Sequence, residues 1–454
     1  MEETKLRSLA LFVLLCALVL IPAAVTAQDM TPAATATPAG APVAKIDAGD
    51  TAWILVSTAL VMLMTPGLAM FYGGMVRRKN VLGTIMHSFI AIALVSLQWV
   101  LFGYSLSFGP DVNGVIGNLS WAGLSNVTLT PNADYAPTIP HLLFMAYQMM
   151  FAVITPALIS GAVAERMKFS TFLVFTLAWT TIVYDPVAHW VWGAGGWLRN
   201  LGVLDFAGGI VVHATSGFSA LAAALYIGKR KGFMHENMPP HNLPLTVLGA
   251  GILWFGWFGF NAGSALSSGT LATMAFLTTH LAASSATVTW IMVEWMHRGK
   301  PTMFGAATGS IAGLATITPA AGFVGPLPAL LIGIAAGAAC YIALNAKTKF
   351  RYDDSLDAFG VHGVGGTLGT LMAGLFASVA INAAGANGLL FGNAKQFFVQ
   401  AGAVALVALY SFVVSFVMLK ALDALMGLRV DAEEETEGLD ISQHGEAGYA
   451  LKEA

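Results

Sequence analysis

Asp205-Phe-Ala-Gly-Gly-Ile-Val-Val-His213 and Asp357-Ala-Phe-Gly-Val-His362-Gly-Val-Gly-Gly366 repeat one pattern: an aspartate, then a histidine, inside a long apolar stretch rich in glycine. An ionisable side chain in such a stretch is costly, so two of them on matching segments read as a functional site within a membrane. Composition agrees. Of 454 residues, 57% are hydrophobic and only 10% charged, against about 25% charged in an ordinary soluble domain. The net charge of -3 leaves no basic surface for nucleic acid, and no run of Lys and Arg interleaved with aromatics is present.

Outward from the two segments, long apolar stretches alternate with short polar breaks. This is the pattern of a helical bundle and not the ten-residue alternation of an outer-membrane barrel. Spans are expected near 52–74, 82–108, 140–164, 169–190, 205–228, 243–265, 271–296, 303–319, 323–345, 357–382 and 397–425. Breaks holding Arg77, Arg78 and Lys79; Arg166 and Lys168; Lys229, Arg230 and Lys231; Arg298 and Lys300; and Lys347, Lys349 and Arg351 alternate with breaks holding only Arg199 or Lys395. The positive-inside rule makes the former cytoplasmic, the start of the first span external and the tail after Leu425 internal. The expected fold class is an all-α membrane protein of eleven transmembrane helices, an inverted five-helix repeat plus one extra helix. The two Asp–His segments then lie five spans apart and run in opposite directions, so their site falls near the bilayer midplane. His213 is eight residues past Asp205, roughly 12 Å down a helix at 1.5 Å per residue. The 49 glycines suit close helix packing.

The first 27 residues read as a secretory signal. Lys5 and Arg7 precede an apolar core from Leu9 to Leu20, Pro22 breaks it, and Val25-Thr26-Ala27 offers a small-residue cleavage site. An uncleaved first span is the alternative, because the apolar core is little shorter than the ~20 residues a bilayer requires. Residues 28–51 then form an exported linker, rich in Ala, Thr and Pro up to Lys45. Loss of Cys16 with the signal leaves only Cys340 and no internal disulfide.

The motifs Phe71-Tyr-Gly-Gly74, Ala164-Glu-Arg166, Asp205…His213, Gly256-Trp-Phe-Gly-Phe-Asn-Ala-Gly-Ser264 and Asp357…Gly363 occur in order on the expected spans. Together they resemble the signatures of the Amt/Mep/Rh ammonium transporters, on the Amt side, over a match running from Ala52 to the C-terminus. The resemblance implies the ammonium transporter fold and transmembrane uptake of ammonium or ammonia through a pore in each subunit. It implies an outer aromatic vestibule that recruits the cation at Trp192, Tyr147 and Ser264, where relatives more often carry Phe at the position of Tyr147. A ring face attracts a cation by about 0.5–2 kcal/mol, and a serine oxygen accepts one of its N–H groups.

By the same resemblance Phe151 and Phe260 form a stacked gate, and His213, His362 and Trp257 line the pore below it. Asp205 and Asp357 are supporting residues, the first accepting hydrogen bonds and making the vestibule negative, the second as a helix N-cap behind His362; Gln148 and Asn261 support the same region. Neutral histidine offers one donor and one acceptor, which suits contact with ammonia. A histidine pair could instead ligate a metal, but no third and fourth ligand stand at suitable spacing, and neither metal nor cofactor is expected. His141, His189 and His280 are read as packing or helix-end residues.

The tail, residues 426–454, runs Gly427-Leu-Arg-Val430, Glu433-Glu-Glu435, Glu437-Gly-Leu-Asp440, His444-Gly-Glu446 and Tyr449. It resembles the family's regulatory C-terminus, which implies docking of a PII-type signalling protein; a solvated acidic tail is the plain alternative. The resemblance also implies a homotrimer in the cell's inner, plasma membrane. No nucleophile elbow, zinc-protease helix or phosphate-binding loop marks an enzyme. An ammonium sensor signalling through its tail is the other functional reading.

Overall fold

The computed structural model describes residues 45–449. The expected signal, Cys16 and most of the linker lie outside the described residues. Among the described residues ten helices are long and apolar enough to cross a membrane: α1 Ala48–Met75, α2 Arg78–Phe108, α3 His141–Val163, α4 Phe169–Asn200, α5 Gly209–Ile227, α6 Leu243–Ala262, α7 Thr270–Arg298, then, after the shorter α8 Met303–Ile317, α9 Pro326–Phe350, α10 Phe359–Phe376 and α11 Ala394–Met426. The chain is a multi-pass membrane protein. The segment expected to span at 303–319 is the short helix α8, whose 15 residues reach only about 22 Å at 1.5 Å per residue. Its Ala and Gly side chains are almost all buried, so protein and not lipid surrounds it. The tenth segment likewise ends at Phe376 and not near residue 382.

Helix starts follow their polar breaks. Asp47, Asn242, Thr302 and Asn393 each accept a backbone N–H of the first turn of α1, α6, α8 and α11, satisfying donors that a helix end leaves open. Large apolar side chains such as Phe89, Leu97, Leu409 and Phe398 stand exposed along the outer faces, as lipid contact requires and water would not favour.

The breaks sort onto two ends, as the charge alternation anticipates. At one end Arg77, Glu165, Arg230 and Asp353 join the α1–α2, α3–α4, α5–α6 and α9–α10 breaks by ion pairs. At the opposite end Asp47 N–H meets Thr138, Ser268 meets Asp50, Trp197 N–H meets Gly114, and Ser378 N–H meets Phe323. A small hairpin, β1 Asp111–Val112 with β2 Ile116–Gly117, also lies at this end.

Helix packing repeats five spans on. The pairs α1–α3, α2–α3, α2–α4 and α3–α5 recur as α6–α8, α7–α8, α7–α9 and α8–α10, while α1 packs on its counterpart α6 and α11 lies over α5 and α10. An odd offset of five reverses direction, so the two halves are inverted copies. Where α5 crosses α10 the backbones nearly touch: a Cβ on Gly217 would stand 2.1 Å from Gly363 N, and one on Gly366 2.5 Å from Gly209 O. Among the described residues five π-helical turns interrupt the helices, at Trp99–Gly103, Thr180–Tyr184, Gly209–Ala214, Phe258–Ala262 and Phe359–Gly363. Three of them carry His213, Phe260 and His362, consistent with the tendency of such turns to occur at functional sites.

Candidate functional site

A cavity of about 480 Å³ opens at the end away from the basic breaks and is lined by Gln148, Phe151, Trp192, Asp205, Phe206 and Ser264 among others. Trp192 is held at both faces of its residue: its indole N–H donates to Asp205 O at 2.9 Å, and its carbonyl accepts from Arg199 at 2.9 Å. Gln148 Oε1 is buried with no hydrogen-bond partner. The cavity therefore offers a ring face and a serine oxygen, a set that suits a small N–H-bearing cation.

Tyr147 does not line this cavity. Its side chain is fully buried, its ring meets Phe151 edge-on at 5.0 Å, and its hydroxyl turns toward Ser264. Tyr147 and Phe151 are one turn apart on α3, and only Phe151 reaches the lumen. The expected cation-facing ring is thus corrected to a residue of the wall behind it.

At the cavity floor Phe151 and Phe260 stack at 4.2 Å with planes 27° apart. Beneath them runs a narrow lumen of about 10 Å³ lined by Phe71, Ile154, Leu158, His213, Trp257, Phe260, Ile311 and His362 among others, which is about the room one water molecule requires. His213 Nδ1 and His362 Nδ1 are 3.2 Å apart, with rings nearly coplanar in tilt at 14°. Trp257 covers His213 at 5.5 Å and anchors its N–H on Thr318 at 2.9 Å. One Nδ1 must donate and the other accept, so in neutral rings the two Nε2 atoms take opposite roles. His213 Nε2 has no protein partner. The pair presents one donor and one acceptor to a molecule in single file. Asn261 lies behind, its amide N–H on Thr279 at 2.9 Å. Among the described residues no group of three or more His, Cys, Asp or Glu gathers as a metal site.

The aspartates divide differently from the expected echo. Asp205 accepts four backbone N–H groups, from Gly208, Gly209, Ile210 and Val211, at 2.6–3.0 Å, which fixes the start of the helix that carries His213. Asp357 does not do this for His362: it sits at φ +63°, and its carboxylate pairs with Lys347. The cap is Asp354, whose two oxygens accept Ala358 N–H at 3.1 Å and Phe359 N–H at 2.8 Å. Asp354 precedes His362 by eight residues, the same offset that separates Asp205 from His213, and that equality was the available signal. Burial, with the Asp357 carboxylate beside it, raises Asp354 to about 6. The other histidines pack as expected: His141 on Tyr104 OH at 2.6 Å, His189 between Ser107 O and Asp111, His280 against Trp254.

The profile of the Ammonium Transporter Family matches residues 52–449. The chain belongs to the ammonium transporter family. It is 54% identical to an ammonium transporter of Bacillus subtilis over 402 residues, 88% of this chain and 98% of that one. Ammonium transporter Amt1 of Archaeoglobus fulgidus is 50% identical over 401 residues, 88% and 99% of the two chains. Among solved structures, Mep2 of Saccharomyces cerevisiae superposes with a TM-score of 0.80 at 38% identity, covering 86% of this chain and 89% of that one. A protein described as a sensor Amt protein matches at 0.80 and 30% identity, covering 87% and 98%.

In this family member the tail docks through one face and leaves Glu433, Glu437 and Glu446 exposed on the other. After Met426 the chain bridges Met167 through Arg429, then forms two short helices, α12 Ala432–Glu437 and α13 Leu439–His444. Buried Glu435 accepts Lys231 N–H and pairs with Arg429; Asp440 accepts Gly83 N–H, and Asn80 accepts Leu439 N–H. Beneath it, burial would raise Glu165 and Asp353, but Arg230 with Arg77 on the first, and Arg230 with Arg166 on the second, hold both below the usual carboxylate range.

Proposed function

We propose that the protein takes up ammonium: Trp192 and Ser264 recruit the cation, it loses its proton at or below the Phe151–Phe260 gate, and ammonia passes His213 and His362. The observation that carries this reading is the continuous order of cavity, stacked phenylalanines and paired histidines along one axis. A bare cation in the apolar lumen would face a desolvation cost far above that of a neutral molecule. Deprotonation therefore selects against potassium, which has no proton to give up.

By the charge distribution the basic end is cytoplasmic and the cavity external, in the inner (plasma) membrane. The protein acts as a homotrimer with one pore per subunit, and the docked tail offers a cytoplasmic surface for regulation by a PII-type protein. Growth of a transporter-deficient cell on limiting ammonium tests uptake; failure to restore growth despite membrane insertion would favour the sensor. Ammonium-evoked current on solid-supported membranes would show net charge movement, and intact ammonia flux without current would exclude the electrogenic form. A metal held between His213 and His362 would overturn the whole reading.

A further inference from the structure

The backbone ahead of each pore histidine is held at the same two carbonyls. Asp205 and Asp354 stand at the same offset from His213 and His362, so Leu204 corresponds to Asp353. In the second half both carbonyls are met by cations: Arg166 Nη2 donates to Asp353 O at 2.7 Å, and Lys347 Nζ donates to Asp354 O at 3.0 Å. In the first half they are met by neutral donors. Gln400 Nε2 donates to Leu204 O at 2.6 Å, and Trp192 Nε1 donates to Asp205 O at 2.9 Å.

Gln400 comes from α11, the helix outside the inverted repeat, and is fully buried. Its Oε1 accepts Leu204 N–H at 2.7 Å and Gln396 Nε2 at 3.2 Å, while its Nε2 also reaches Thr370 O on α10 at 3.4 Å. A primary amide brings two donor hydrogens and two acceptor lone pairs, so the side chain is used completely. Because Leu204 presents one N–H and one C=O, only this orientation of the amide satisfies both. Gln396 Nε2 donates in turn to Gly202 O at 2.9 Å, and from the far side Phe206 N–H meets Pro319 O at 3.1 Å. The segment from Gly202 to Phe206 is thus clamped between α11 and the break after α8, and it forms part of the wall of the recruiting cavity.

The contrast between the halves has a physical reason. A guanidinium or ammonium on Leu204 O would put a fixed positive charge behind a cavity that gathers cations, and like charges repel more strongly where little water separates them. An amide makes the same hydrogen bond without the charge.

We propose that Gln400 is a positioning residue of the recruiting cavity: by pinning Leu204 it fixes Asp205 O, on which the Trp192 indole is anchored, and so sets the ring face relative to Ser264. The inference rests on the recruitment reading above.

The test is a double-mutant cycle on ammonium uptake by purified protein in proteoliposomes, with Gln400→Leu, Trp192→Leu and the pair. Gln400→Leu is expected to raise KM roughly threefold to tenfold, the span of one hydrogen bond's net worth, with maximal rate within about threefold of the parent because Asp205 keeps its four N–H partners on α5. Loss of folded protein alone would lower the rate and leave KM where it was. On the Trp192→Leu background, Gln400→Leu should change KM by less than about twofold, as residues acting through one contact do not add. An unchanged KM in Gln400→Leu overturns the proposal, as does an effect that persists in full on the Trp192→Leu background. An unchanged KM in Trp192→Leu sinks the recruitment reading itself. Should Gln400→Leu fail to elute monodisperse at the parent volume, Gln400→Asn, whose amide stops one methylene short of Leu204, takes its place with the same expected and overturning results.

Discussion

Asp354 and Asp357 are three residues apart and do different physical work. Asp354 satisfies two N–H groups at the start of the His362 helix, donors that would otherwise be buried without partners. Asp354→Ala is expected to cost about 1–2 kcal/mol, the range of a lost N-cap, and to cut uptake because the His362 ring loses its fixed origin. The backbone of Asp357 lies at φ +63°, where asparagine is also at ease. Asp357→Asn gives up the Lys347 ion pair but no helix cap, so it is expected to lose less uptake than Asp354→Ala. Unfolding midpoints in detergent together with uptake rates check the contrast; equal losses at the two positions would refute it. The pattern of an aspartate ahead of a histidine was legible in the sequence, but only the equal eight-residue offset marked Asp354, and not Asp357, as the cap. Capping depends on where the helix begins, and apolar periodicity locates an end only to a few residues. Trp192, Phe151, Phe260 and the histidine pair gather along one axis, each side chain at a fixed helical phase. Tyr147 lies buried in the wall, since whether a ring faces a lumen or its wall depends on the neighbouring helix.

At the scale of elements, the α5–α10 crossing brings the histidines together. Gly217 and Gly363 leave no side chain between the helices, and a methyl group on Gly217 would overlap backbone atoms at 2.1 and 2.2 Å. Backbone cannot rotate away as a side chain can, so Gly217→Ala is expected to push α5 from α10 and separate the 3.2 Å histidine pair. Uptake should fall by at least tenfold, an estimate from overpacking costs of about 1–3 kcal/mol, while Gly251→Ala, with open space at its Cβ, should be neutral in the same assay. The tail is a second element with its own test. The His444 ring meets Phe169 edge-on at 4.9 Å, and burial lowers its pKa from 6.5 despite the acidic pull of Asp440 and Glu446. A histidine depressed in the docked state binds fewer protons there than when free. Its contribution is therefore present above the free value of about 6.5 and lost as pH falls below it. Protease protection of residues 427–449 should weaken between pH 7.5 and 5.5, and His444→Gln should flatten that dependence. The π-helical turns were not legible at all, since one extra residue in a turn leaves no mark in an apolar run.

For the whole molecule, the open quantity is direction. The structure joins the breaks holding Arg77, Glu165, Arg230 and Asp353 at one end, and the remaining cations of the spans' breaks follow the same alternation. Only Lys45, Arg199 and Lys395 fall on the opposite side. Lys and Arg near span ends resist translocation, which is the ground for the proposed orientation with the basic end in the cytoplasm and the Trp192 cavity outside. The only described cysteine, Cys340, is free and fully buried, so once Cys16 is replaced by serine, single introduced thiols report sidedness without a competing accessible thiol. Leu119, at the cavity end, and Asn237, in the α5–α6 break, are both exposed. In intact cells Leu119→Cys should react with a membrane-impermeant maleimide and Asn237→Cys should not, until the membrane is permeabilised. The reverse pattern would place the recruiting cavity in the cytoplasm and turn uptake into export, with the same cavity, gate and histidine pair left in place. Because pore geometry by itself has no preferred direction, the proposed direction rests on the Lys and Arg distribution together with the expected exported N-terminus.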